Sequence, residues 1–223
     1  MSARATGAHP PRRILVVGGE ASGKTTFARR LAASLGAPIH ELDQIAWQSA
    51  ITPDKDLEGV FEPGYQAREP LVQRPLPDRL VRVKAIAMEP TWIAEGVFLW
   101  WTDPLFDTAD AIVWLDHVTF PTLIRRVLAR HARSARREFV LRPGSQKVTR
   151  FRDYVVAIRG LINVVLRLGR FHFGRAIPAP APNDYGGITR HAIRAVLHEH
   201  HGKVVHVRSE RDLRDFLLGV TDT

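Results

Sequence analysis

The sequence predicts a three-layer α/β/α fold, with a central five-stranded parallel sheet and a helical lid. Short apolar, β-branched runs alternate with helical patterns along most of the 223 residues, as a parallel sheet requires. The first run, Ile14-Leu15-Val16-Val17, leads directly into a glycine turn and then a helix. Three acids, Asp43, Glu95 and Asp116, fall at or just beyond the expected strand ends, where open parallel sheets place their ligands.

The turn reads Gly18-Gly19-Glu20-Ala21-Ser22-Gly23-Lys24-Thr25. It fits the eight-position phosphate-binding loop, with Gly18, Gly23, Lys24 and Thr25 in the fixed places. Glycine lets backbone N–H groups approach an anion with no Cβ in the way, and the helix opening near Gly23 adds unpaired N–H groups. Gly18, Ala21, Ser22, Gly23, Lys24, Thr25 and Thr26 are therefore the expected nucleotide-contacting stretch. Lys24 is expected to reach the β- and γ-phosphates of ATP, and the Thr25 hydroxyl to complete a magnesium shell, with Glu95 as a further candidate ligand. Thr26 belongs to the first helical turn and has no catalytic role. The loop defines the phosphate donor; the acceptor is left open.

The later elements follow in turn. Residues 26–35 continue the first helix, and Pro38 to Leu42 reads as a second strand ending at Asp43. Ser49 to Pro77 holds five prolines and reads as loops, with one short helix at Gln66 to Gln73. Asp78 to Met88 is helical through Leu80, Val83 and Ala87, and Thr91 to Ala94 is a strand ending at Glu95-Gly96. Ala111 to Leu115 is a buried strand, and Phe120 to Arg133 a helix with Leu123, Val127 and Leu128 as its stripe. Val148 to Leu168 reads as a helix packed through Val155, Ile158, Ile162, Val165 and Leu166, and Arg170 to Pro182 as irregular. A helix from Ile188 to His200, a strand from Lys203 to Val207 and a helix from Glu210 to Leu218 complete the pattern. Trp92 and Trp114 lie in strands and read as core, whereas Trp47, Trp100 and Trp101 read as loop residues that could wall a ring or base.

Composition points to one domain, residues 12–223, behind a loose tail of 1–11. Without cysteine, disulfides and thiolate metal sites are excluded. No apolar run reaches the length of a bilayer span, so no membrane partner is expected and the cytoplasm is the expected compartment. The ten histidines show no zinc-ligand spacing. Charge is uneven: Pro121 to Arg175 carries fourteen Lys or Arg and two acids, +12, against +9 for the whole chain. A solvated surface, a nucleic-acid footprint and a phosphate clamp all fit that segment; the clamp suits the loop best. Arg126, Arg130, Arg133 and Arg137 share one helical face, which favours an anion opposite them. Arg126 and Arg130 are assigned to nucleotide, Arg130 and Arg133 to the transferring group, and Arg137 to the acceptor.

Asp43 lies where an acceptor hydroxyl could meet the γ-phosphate, as a base or merely as a helix cap. Glu95 and Gly96, with Trp47, form the remaining acceptor-side set, although Glu95 also reads as a turn acid. Asp116 reads as structural.

These pieces together resemble the adenylate-kinase-like P-loop proteins known as DNA topology modulation proteins. The shared pieces are Gly18 to Thr25, His40-Glu41-Leu42-Asp43 with Trp47, Trp92 to Gly96, Ala109 to Asp116, the Arg125 to Arg137 helix and Gly202 to Ser209. The resemblance implies a P-loop kinase fold using ATP and magnesium. The Asp-Gly-Phe-Pro-Arg signature of nucleoside monophosphate kinases is absent, and Glu95-Gly96-Val97-Phe98 stands in its place. The expected activity is ATP-dependent phosphoryl transfer to a small hydroxyl- or phosphate-bearing acceptor, such as a nucleoside or nucleotide, by a monomer or homodimer. A regulatory NTPase or nucleotide-binding module is one alternative, and a nucleic-acid binder or polynucleotide kinase another, not favoured.

Overall fold

The computed structural model describes residues 11–53, 70–129, 151–175 and 188–221, the side chains of 151–158 and 161 excepted. The chain enters strand β1 (Arg13–Gly18), whose residues Ile14 to Gly18 are all buried. Helix α1 (Lys24–Leu35) follows the loop and ends at Gly36, a left-handed cap whose N–H donates to the Ala32 carbonyl. Then come β2 (Ile39–Glu41), the short helix α2 (Leu42–Ala46), β3 (Trp47–Ser49) and β4 (Leu71–Gln73). Helix α3 (Leu76–Ala87), β5 (Trp92–Gly96), α4 (Asp103–Thr108) and β6 (Ala111–Leu115) lead to α5, residues 120–129. The chain closes with α6 (Phe151–Phe173), α7 (Arg190–Glu199), β7 (Val204–Val207) and α8 (Glu210–Thr221).

Five parallel strands form the sheet, in the order β2-β5-β1-β6-β7. Alternation along each strand separates two cores. Ile14, Val16, Ile93, Val113 and Leu115 face Phe27, Ala28 and Leu31 of α1 and Val220 of α8. Leu15, Val17, Ala94, Ile112 and Trp114 face α2, α3, α4 and α7. With helices on both sides, this is the three-layer arrangement the sequence predicts. Each large apolar side chain buried this way contributes about 1.5–3 kcal/mol. Over the loop's lip a smaller cluster joins Leu123 and Val127 of α5 to Leu168 of α6, with Ala21, Ile124 and Val164 packed against it.

Several expectations are corrected. Asp43 is not a strand-end residue: β2 stops at Glu41, and Asp43 sits in the first turn of α2, where an acid is favoured by the exposed N–H groups. Leu71–Gln73 is a strand, paired antiparallel with β3, and not the end of a helix. Helix α3 begins at Leu76, because Pro77 fits a first helical turn. Helix α4 was not foreseen; Pro104 in its first turn is the same signal. Helix α6 runs through Gly169 to Phe173, where an irregular segment is expected. Its inner face is Val164, Leu168 and Phe171, while Ile162 and Leu166 are 51% and 62% exposed. Leu128 is likewise exposed. Residues 1–10 of the tail and 66–69 of the short 66–73 segment lie outside the described residues, as do Arg130, Arg133, Arg136 and Arg137.

Asp116 is structural. Its buried carboxylate accepts from Arg190 Nη2 at 2.7 Å and meets Arg190 Nε at 2.6 Å and His206 Nε2 at 2.9 Å. His206 in turn stacks on Trp114 at 4.0 Å. One carboxylate thus ties β6, β7 and α7 together. Asp116→Ala should destabilise the fold by about 3 kcal/mol, because two donors lose a buried partner. Urea unfolding checks this; a loss below about 1 kcal/mol would count against it.

Candidate functional site

Parallel pairing brings the ends of β1, β5 and β6 level: Val17 lies beside Gly96, and Gly18 beside Leu115. The loop leaves the sheet at that edge. Gly23 takes φ +96°, a conformation that favours glycine, and a side chain there would meet open space. Ala21 holds φ +58°, which costs an L-residue about 1 kcal/mol. Such strain persists only where surrounding contacts hold it. Here Arg126 Nη1 donates to the Ala21 carbonyl at 3.3 Å, and Ser22 N–H donates to the Gly19 carbonyl at 3.3 Å. The Ser22 hydroxyl oxygen is buried without a hydrogen-bond partner among the described residues. A concave turn of backbone N–H groups with an unsatisfied hydroxyl at a helix start fits a phosphate group.

Lys24 Nζ donates to the Gly19 carbonyl at 3.0 Å, so the ammonium arches across the loop. The Thr25 hydroxyl donates to Glu95 Oε1 at 2.7 Å. Glu95 is buried in β5, one residue before Gly96. A hydroxyl and a carboxylate side by side, beside a phosphate cradle, match the oxygen donors that magnesium takes. Among the described residues no three His, Asp or Glu side chains converge as an all-protein metal cage. Thr25 and Glu95 would hold magnesium together with phosphate oxygens and water.

Asp43 lines one cleft with Lys24, Glu20, Arg167, Phe171 and Ile188. The cleft is open to solvent, with a cavity volume of about 40 Å³. Burial pushes the Asp43 carboxyl up to about 6; Lys24 opposes the rise, and Glu95, Glu41 and Glu20 add to it. A carboxylate titrating near the working pH is suited to accept a proton. A second space, about 360 Å³ and open, lies on the other side of the loop among Gly23, Thr26, Arg30, His117, Arg126 and Glu210. Burial holds the His117 imidazole below its ordinary value, although Glu210 at 3.4 Å works the other way.

The structure thus brings Lys24, Thr25, Asp43 and Glu95 to one loop face, and Ala21, Ser22, Gly23, Thr26 and Arg126 to the other. Trp47 is half-buried in β3 and packs against the core. Gly96 is buried, and a Cβ there would come within 2.8 Å of Leu42 Cβ, so its bareness serves the seating of α2. Trp101 is no loop wall: it is buried beside Phe98, with the Arg79 guanidinium over its ring. Trp100 also packs on that core. Trp92 and Trp114 are core, as expected. Sequence reasoning missed Glu20, Arg167, Phe171 and Ile188. Glu20 stands in a variable position of the loop, and the others come from α6 and the start of α7, which no local pattern ties to the loop.

No protein-family model matches the chain. No characterised protein sequence matches it. Solved structures to which it is similar include a gluconokinase from Sinorhizobium meliloti 1021, 17% identical, covering 96% of this chain and 94% of that one at a TM-score of 0.42. A shikimate kinase from Bacteroides thetaiotaomicron is 10% identical, covering 95% and 97% at 0.38. A sugar kinase from Janibacter sp. HTCC2649 is 21% identical, covering 53% and 67% at 0.33. None of the three is described as a DNA topology modulation protein, so that resemblance rests on motifs alone. At these identities and TM-scores the likeness carries no argument, and fold and chemistry alike rest on this chain's own residues.

Proposed function

We propose that the protein is an ATP-dependent phosphotransferase acting on a small acceptor that bears a hydroxyl or phosphate group. The observation that carries this is one cleft lined by both Lys24, at the phosphate loop, and Asp43, a carboxyl tuned to about 6. A loop alone would bind nucleotide; a poised base across the same cleft supplies what an acceptor needs. In this reading Asp43 orients the acceptor and takes its proton. The acceptor oxygen forms a bond to the γ-phosphorus as the bond from that phosphorus to the β,γ-bridging oxygen breaks, and ADP leaves. Lys24 neutralises charge on the transferring group, and the loop's N–H groups fix the β-phosphate. Magnesium, when bound, would neutralise phosphate charge; Thr25 and Glu95 orient oxygen ligands for it. The nucleotide body fits the second space, beside Arg126 and Thr26. Arg130, Arg133 and Arg137 remain candidates for the clamp and acceptor contacts, outside the described residues.

ATP consumption against a panel of nucleosides, nucleotides and hydroxylated metabolites tests the reading. Acceptor-dependent ADP release is expected; hydrolysis indifferent to every acceptor would favour the NTPase alternative. Lys24→Ala should lower turnover at least about a hundredfold, roughly 3 kcal/mol of transition-state stabilisation, with the fold intact. Near-normal turnover in the folded variant would sink the assignment. Thr25→Ala should raise the magnesium needed for half-maximal rate about tenfold, since Glu95 loses its partner and the metal a ligand. An unchanged magnesium titration would remove that role.

Asp43 makes a two-sided prediction. Its folded value of about 6 lies above the ordinary 3.8, so the folded state binds the proton more tightly. Stability from this group is full below about pH 4 and is lost as pH rises through about 6. Activity should run the other way, rising through about pH 6 as the base ionises. Asp43→Asn should therefore be more stable at pH 7, by about 3 kcal/mol, while losing most turnover and the pH limb. Thermal unfolding and a pH–rate profile on both proteins check this; an Asn variant that keeps the limb would show that another group titrates.

A further inference from the structure

Helix α6 does more than cover the loop. Leu168 is fully buried against α5, and a Cβ on Gly19 would collide with the Phe171 ring, so the helix is seated directly on the loop's lip. One residue before Leu168, Arg167 reaches Glu20, the third residue of the loop. Its Nε donates at 3.0 Å, and Nη2 lies at 2.8 Å, both to the same oxygen, Oε2. A guanidinium resting on one oxygen makes less of its fork than one spread over two. The side chains are 42% and 30% exposed, so the pair contributes little to stability. Both residues line the cleft that holds Lys24 and Asp43. A rigidly seated backbone carries a long, weakly held cation beside the position expected for the transferring phosphate. Glu20, the acid that holds it among the described residues, would repel that phosphate.

From this we propose that Arg167 is a phosphate ligand parked on Glu20: it leaves the carboxylate and pairs with the γ-phosphate when nucleotide fills the loop. The inference rests on the phosphotransferase reading and adds to it a residue from a helix expected only to give support. Glu20 would hold the guanidinium at the cleft and keep it off other anions until a triphosphate competes. Arginine suits the task because its planar fork can meet two phosphate oxygens at once.

A double-mutant cycle on the full chain separates this from simple charge effects. Affinity for a non-hydrolysable ATP analogue with magnesium is measured by titration calorimetry. Glu20→Gln should bind about tenfold more tightly, because the parking site is gone, and Arg167→Ala about tenfold more weakly. In the Arg167→Ala background the gain from Glu20→Gln should shrink to under threefold, since no parked cation remains to be released. Arg167→Lys, which keeps the charge without the fork, should recover part of the loss and covers the case in which alanine unseats α6. A full tenfold gain from Glu20→Gln in the Arg167→Ala protein would overturn the proposal, leaving Glu20 as a repelling charge only. A loss of affinity in Glu20→Gln would overturn it too, making the pair a structural tie. Failure of the unmutated protein to bind the analogue at all would instead overturn the phosphotransferase reading beneath it.

Discussion

The site depends on β1 being the middle strand. It pairs in parallel on both sides, with β5 and with β6, and all but one of its residues are buried. Parallel pairing sets three strand ends level, and only there can a loop leave β1 with its N–H groups turned toward residues from β5 and α2. Shift the register with β5 by one residue and Glu95 would turn to the other face of the sheet, away from Thr25. Sheet hydrogen bonding, formed far from any ligand, therefore determines the 2.7 Å contact beneath the loop.

Charge at the site is arranged in opposition. Glu20, Glu41, Asp43 and Glu95 stand near one another; burial first, and then the other three acids, press Asp43 toward its neutral form. Arg29 pairs with Glu41 at 2.6 Å, while Lys24 and Arg167 are turned onto the loop: one to a backbone carbonyl, the other to Glu20. Such an arrangement costs stability in the free protein. It is a form of preorganisation, in which groups that would act on a polyanion already stand around the place for it.

Much of this was legible in the sequence, and the reason is physical. The phosphate loop is local: eight consecutive residues fix its geometry, and the β-branched run before it needs no partner to be recognised. The strands holding Trp92 and Trp114 were likewise visible as apolar runs, and Asp116 as a structural acid. Asp43 is visible in the sequence as an acid past a strand, but its place in a helix is not, because a five-residue helix has too little periodicity to show. Trp101 reads as a loop residue since nothing nearby signals that Phe98 and Arg79 will close over it. The inner face of α6 is hidden in the sequence for a related reason. Its apolar residues cover more than one face, and only the position of the loop decides that Leu168 and Phe171 turn inward while Ile162 and Leu166 do not. Periodicity identifies a helix; the neighbours choose the face.

The tie between Asp116 and Arg190 reaches further than the three elements it joins. Ile188, a wall of the Asp43 cleft, is two residues before Arg190, with Thr189 between them as the buried cap of α7 that accepts from Ala192 N–H at 3.0 Å. The wall is thus held from its C-terminal side, by the strand next to the one that launches the loop. Changes of length in the chain ahead of Ile188 need not move it. A cleft wall anchored in this way is insulated from the connection that leads to it.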